Sequence, residues 1–185
     1  MELTRLSAIV GSAQRYVQLS DSPEQIPTLL MDTGSAAALG ALEDPLVREQ
    51  TESLLCNVGN FHTLAFHMLQ GHIVGIFEHH TGEITQARLE ELLIKLAEGS
   101  LTNNEVFADS GHGALVLGKA MKTNQSLPFL ATTGPRRAML RGSRLKPYEC
   151  VPHGDMMICG CFGLLRALAD QRPDMAPLIE PSLLH

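Results

Sequence analysis

The 185-residue chain has no Trp, two Tyr and six Phe, so aromatic residues make up only 4% of it. A core with so few rings must rest on aliphatic side chains, and hydrophobic residues do reach 44%. Charge is scarce too, with Asp, Glu, Lys and Arg together at 18%. This composition describes an interior-rich soluble domain of the kind that expects a partner over part of its surface. No apolar segment approaches the roughly 18 residues of a membrane span. The first residues, with Glu2 and Arg5 in a short broken apolar run, do not form a signal peptide. Four cysteines (Cys56, Cys150, Cys159 and Cys161) are too few and too irregular for a secreted disulfide scaffold. A reduced, cytoplasmic protein is expected. The formal net charge of −6 argues against nucleic acid as the main ligand. Neither HExxH nor CxxC occurs, so spacing identifies no metal.

What is present is a sequence of well-marked elements. A chain of this length buries about 70% of its unfolded surface and needs no staple to be stable. Leu6, Ile9, Val10, Ala13 and Val17 lie at helical spacing and predict an amphipathic helix over Thr4–Leu19. Ser20–Pro27 reads as a loop, and Thr28–Thr33 as a short strand ending in a turn. The Ala-rich run Ser35–Leu42 predicts a helix stopped near Asp44-Pro45. Strands follow at Ser53–Val58, His62–Leu69 and His72–His79, the last two joined by a Gln70-Gly71 turn. The second carries apolar residues on both faces, with Leu64, Phe66 and Met68 on one and Ala65 and Leu69 on the other. It therefore belongs in a sheet covered on both sides. Thr85 caps a helix with Leu89, Leu92, Leu93 and Leu96 on one stripe and Gly99 at its end. A buried strand at Leu127–Thr132 and a helix over Asp155–Asp170 complete the pattern. The domain reading is 1–52 as an N-terminal helical and connecting segment, 53–172 as an α/β domain, and 173–185 as a loosely held tail.

Several motifs carry chemistry. Between the first two strands, Gly59 and Thr63 sit in a turn with Asn57 and Asn60. Glycine lets backbone amides approach an anion closely, so a phosphate-handling hairpin is expected here. Beyond the Leu127–Thr132 strand, Thr133-Gly134-Pro135-Arg136-Arg137 makes a Gly turn that opens a helix with Pro in its first turn. Thr133, Gly134 and Arg136 are the candidates there for a nucleotide or a second phosphate. Arg136, Arg137, Arg141, Arg144 and Lys146 form a local basic cluster, which suits one phosphate-bearing small molecule. Glu78, Asp109, His112 and Asp155 are the polar candidates for acid–base or metal work. His79 and His80, adjacent on a strand, point to opposite faces, so at most one of them joins a given site. Gly160 and Gly163 inside the last helix each cost about 1 kcal/mol against Ala, which predicts a close approach that compensates. Asp32-Thr33-Gly34 imitates the aspartic-protease triplet, but a helix former follows it where such a protease needs β-hairpins.

Three strands, a helix, a further strand and a final helix match the order of one ribonuclease-H-like half of the actin, Hsp70 and sugar-kinase superfold. The expected fold class is therefore α/β, a mixed sheet flanked by helices. Asn57, Gly59 and Thr63 resemble that superfold's Asp-x-Gly-x-x-x-Thr hairpin, with Asn in place of the Asp that holds Mg²⁺. Asp32-Thr33-Gly34, Gly59 to Phe66, Glu78 to Gly82, Gly111-His112-Gly113, Thr133 to Arg137 and Gly154 to Leu165 occur in order along the chain. Their series resembles a family carried under the label of a pyruvate formate-lyase activating enzyme and similar to actin-like ATPases. The resemblance implies ATP with Mg²⁺ as ligand. It also implies a longer protein whose N-terminal half bears its own phosphate motif, so a missing N-terminal lobe or a homodimer is the expected partner. True activating enzymes of that name hold an iron–sulfur cluster on a CxxxCxxC run, which these four cysteines do not form. Two rival readings are a non-catalytic oligomerisation domain and a metal-dependent hydrolase built on His, Asp and Glu.

Overall fold

Alternation of apolar residues from Glu52 onward produces a three-stranded meander: β1 (Glu52–Val58), β2 (His62–Leu69) and β3 (His72–His80). The turn between β2 and β3 places Gln70 at φ 50° and Gly71 at φ 77°, the left-handed pair that a two-residue hairpin requires. The computed structural model describes residues 4–19, 27–117 and 127–183, in two units that divide after Asp32. The first holds α1 (Thr4–Gln18), the amphipathic helix expected there. The loop expected at 20–27 lies, except for Pro27, outside the described residues. Residues 28–32, expected as a short strand, form no ladder.

The second unit is a mixed α/β structure around a six-stranded sheet in the order β4 (Gly111–Val116), β3, β2, β1, β5 (Phe129–Thr133), β6 (Tyr148–Glu149). The meander is antiparallel. β4 adds antiparallel to β3, while β5 and β6 add parallel on the far side of β1. The expected α/β class with a mixed sheet and flanking helices is what forms. Residues between Gly99 and β4 form α5 (Asn103–Ala108), capped by Thr102.

Helices cover both faces, as the two-sided apolar pattern of β2 requires. On one face lies α4 (Gln86–Glu98), capped by Thr85 and ended by Gly99 at φ 70°. Its Leu89, Leu92, Leu93 and Leu96 are fully buried with Leu54, Cys56, Val58, Ala65 and Phe77. Each contributes roughly 1.5–3 kcal/mol of burial. On the other face lie α2 (Thr33–Ala41) and α6 (Cys159–Gln171), over Leu55, Leu64, Phe66 and Ala131. A Cβ at Gly40 would run into the Cys159 carbonyl, and one at Gly163 into the Ala36 carbonyl. The close approach that Gly163 calls for is thus to α2.

Two acids at the C-terminal end of α2 tie this layer together. Glu43 is buried and takes both oxygens to Arg166 at 2.7 and 3.1 Å, with Arg48 at 2.8 Å. Asp44 caps α3 (Pro45–Arg48) and accepts from Tyr148 at 3.0 Å and the Val151 amide at 2.9 Å. The C-terminal segment, expected as a loose tail, instead forms α7 (Ala176–Ile179), whose Ile179 is buried with Leu183 and Ala169. Its apolar side chains have α6 to pack against, which a local reading of its prolines does not reveal.

Candidate functional site

Parallel pairing puts Asn57 of β1 opposite Thr133 of β5, so the two strands end side by side. From there the chain leaves in opposite directions. Beyond β1 it turns through Gly59-Asn60-Phe61 into β2, and beyond β5 it passes through Gly134-Pro135-Arg136 toward β6. Such a switch point at the carboxyl ends of parallel strands opens a crevice in α/β sheets. The Arg136 amide donates to the Val58 carbonyl at 3.0 Å and ties the two loops. Gly134 is at φ 96°, and a Cβ there would lie 2.5 Å from the Val58 carbonyl oxygen and 2.7 Å from Asn57 Oδ1. At Gly59 a Cβ would meet the His62 carbonyl oxygen at 2.6 Å. Both positions demand glycine because backbone passes so close.

Of the phosphate candidates, Asn57, Gly59, Gly134 and Arg136 are brought together, and Asn60 is exposed at the turn beside them. The hydroxyls of the two threonines go elsewhere. Thr63 lies on the α4 side of the sheet, fully buried, with its hydroxyl 3.0 Å from that of Thr81. Thr133 Oγ1 is buried against the thiols of Cys150 and Cys159 and makes no well-aligned hydrogen bond. The helix expected to open at Pro135 is only a 3₁₀ turn, Arg137–Leu140. Three of the four arginines there are neutralised: Arg137 and Arg141 by Glu149 at 2.9 and 2.8 Å, and Arg144 by Glu90 at 3.0 Å. Among the described residues Arg136 has no acidic partner, and it is exposed.

A second constellation stands on the same edge of the sheet. His62 opens β2, and register pairs it with His80 at the end of β3. In β4 a bulge falls between Glu78 and His79, so that Gly113 faces Glu78 and Gly111 faces His79. His112 is the extra residue, and the bulge re-aims it toward His62 and His80. Ring centroids of the three lie 4.5–5.2 Å apart. His62 Nε2 and His112 Nε2 are 3.3 Å apart, and one ligand atom from each ring falls within 4.8 Å of the others. Glu78 Oε1 stands 3.4 Å from His62 Nδ1. Alongside is an open cleft of about 550 Å³ lined by His80, Glu83, Phe107, Ser110, Gly111 and His112.

The other acid–base candidates are placed apart. Asp109 is drawn to Arg88 at 2.6 Å, with His79 Nε2 at 3.5 Å. Its carboxyl is held below the usual range, chiefly by the Arg88 guanidinium. His79 is fully buried on the α4 side, with Nδ1 3.0 Å from the His80 carbonyl, so His80 alone of that pair joins the cluster. Asp155 is exposed and caps the turn before α6 by accepting from the Met157 amide at 2.8 Å. The residue that sequence reasoning missed is His62; His80 is the one of the adjacent pair that joins. Counted back from the Gln70-Gly71 turn, His62 would face His79; a register shift between His67 and Met68 moves the pairing to His80. Neither this shift nor the bulge that brings His112 to them has a local mark in the sequence.

The thiols form no cluster-binding run. Burial pushes Cys56 up to about 12. The neighbouring Cys159 thiol and burial together push Cys150 up. Cys161 is exposed. Among the described residues no helix is long and apolar enough to cross a membrane.

The model of a protein family described as "Putative pyruvate format-lyase activating enzyme (DUF1786)" matches residues 1–139. No curated protein and no solved structure matches the chain.

Proposed function

The chain belongs to that family of unknown function, and from this premise we propose that it is a phosphate-binding lobe of a divergent actin-like ATPase. The observation that carries the reading is the switch point itself. Two parallel strands end together, the chain departs to either side, and glycine at 59 and 134 opens the backbone of both loops. The meander with parallel strands beyond β1 supports a ribonuclease-H-like half, the unit from which that superfold is built. The Gly59 amide already donates to the His62 carbonyl at 3.0 Å, so the amides of Asn60 and Phe61 at the turn would hold phosphate oxygens, and Arg136 would supply the charge.

The ligand proposed is a nucleotide carrying its own Mg²⁺. Asn57 stands where a carboxylate would hold the ion, so this hairpin offers Mg²⁺ no charged oxygen. An opposing lobe, from another segment or a second copy, would close over this edge, where Phe61 is 81% exposed. The activity in the family's description, taken as iron–sulfur radical chemistry, calls for a cysteine run that these 185 residues lack. We do not assign it.

Melting of the purified chain with Mg-ATP, ADP and inorganic phosphate in parallel tests the reading. A ligand at about 100 times its dissociation constant adds about 2.7 kcal/mol. Arg136→Ala should weaken binding about tenfold or more, since a charge-assisted hydrogen bond contributes about 1.5–3 kcal/mol. If none of the three ligands moves the melting temperature, the lobe has no working phosphate site.

A further inference from the structure

Three imidazoles meeting at one sheet edge need a physical reason. Aliphatic or hydroxyl side chains would satisfy the same exposed strand ends without bringing three titratable rings together. Here the rings come from three different strands, and the third arrives only because a bulge in β4 turns His112 out of its regular alternation. Bulges next to functional sites commonly serve to re-aim one side chain.

We propose that His62, His80 and His112 bind a divalent first-row transition-metal ion of the Zn²⁺ type, with an open coordination position facing the neighbouring cleft. Two nitrogens on one tetrahedral ion, at metal–nitrogen distances of about 2.0–2.1 Å, stand roughly 3.3 Å apart. His62 Nε2 and His112 Nε2 are 3.3 Å apart. His80 offers a ring nitrogen within 4.8 Å of both, and a small ring rotation closes the triangle. Glu78 completes the arrangement from behind. With its Oε1 3.4 Å from His62 Nδ1, it holds the proton on that nitrogen and turns the Nε2 lone pair toward the ion.

The donor set selects the metal class. Three neutral nitrogens suit Zn²⁺, Co²⁺, Ni²⁺ or Cu²⁺, whereas Mg²⁺ and Ca²⁺ require oxygen ligands. Three protein ligands leave a fourth position for water or an anion. The cleft of about 550 Å³ beside His80 and His112 gives that position access to a small molecule, with Glu83 and Ser110 as polar wall and Phe107 as apolar wall. This site uses side chains the switch-point reading does not, although the His62 carbonyl takes the Gly59 amide of that turn.

The test uses the untagged 185-residue chain titrated with Co²⁺ and followed by its visible absorption, with Zn²⁺ competition and calorimetry. One equivalent with intense tetrahedral bands is expected, displaced by Zn²⁺. His112→Ala and His62→Ala should each lower affinity at least 100-fold and abolish the bands. His112 is exposed, so the metal-free melting temperature of its variant should stay at the wild-type value. His72→Ala, at the far end of the sheet, should bind as wild type. Glu78→Gln should keep the bands while weakening binding 10- to 100-fold, the signature of a positioning residue. Wild-type protein without tetrahedral bands, or a His112→Ala variant that binds Co²⁺ as well as wild type, would overturn the proposal. Arg136→Ala should leave Co²⁺ binding unchanged, so loss of the phosphate reading would not touch this one.

Discussion

Single residues decide what each edge of this sheet can do. Gly134 at φ 96° is enclosed by the Val58 carbonyl and Asn57, so any side chain there strains the backbone and separates the loops. Asp109 shows the opposite case, a candidate acid already engaged. It shares Arg88 with Glu105 and Glu91, and Lys95 links those two acids. Lys95 and Arg88 hold Glu91 down to about 2, and Arg88 lowers Asp109. Carboxyls depressed in the folded state add stability that is fully present above their unfolded values. That stability is lost as pH falls from about 4.5 toward 2. Arg88→Ala should therefore flatten the pH dependence of melting across that window and lower stability at pH 7. Thermal melts between pH 2 and pH 7 check it, and parallel curves for variant and wild type would rule the network out as the cause.

Among elements, the α2–α6 pair carries the sharpest expectation. Glycine in a helix is a liability unless another backbone needs the space, and α6 holds one glycine of each kind. Gly163→Ala should destabilise by about 1–3 kcal/mol, because its Cβ would run into the Ala36 carbonyl. Gly160→Ala should stabilise by up to about 1 kcal/mol, since its Cβ would meet nothing nearer than 3.9 Å. Denaturant midpoints at constant slope measure both, and the opposite signs are the test. The two-residue turn between β2 and β3 works at the same scale: it pairs Leu69 with His72, and a bulge opposite His67 and Met68 then shifts the register so that His62 meets His80.

For the molecule as a whole, one sheet serves two cores. Leu54 and Cys56 face α4, while Leu55 between them faces α2 and α6. Neither layer can leave without exposing strands the other still covers, so both should unfold together. Calorimetry of the Thr33–His185 unit within the intact chain should show one transition whose calorimetric and van't Hoff enthalpies agree. Two resolved peaks for that unit would mean the layers are independent.

Local signals determined the meander, the capped α4, the last helix (expected over Asp155–Asp170 and found at Cys159–Gln171, after a 3₁₀ turn at Met156–Ile158) and the α/β class. Each of these depends on periodicity, a cap or a turn that neighbouring residues carry on their own. They also marked Gly59 and Gly134, where a glycine between a strand and a polar turn signals close backbone approach. Only the tertiary structure paired three of the clustered arginines with Glu149 and Glu90, and turned the Thr63 and Thr133 hydroxyls inward. It alone assembled His62, His80 and His112, residues 18 to 50 positions apart that meet through strand register and two bulges, one in the β2–β3 pair and one in the β3–β4 pair. Register is a property of paired strands, and a bulge leaves no periodic trace in either of them.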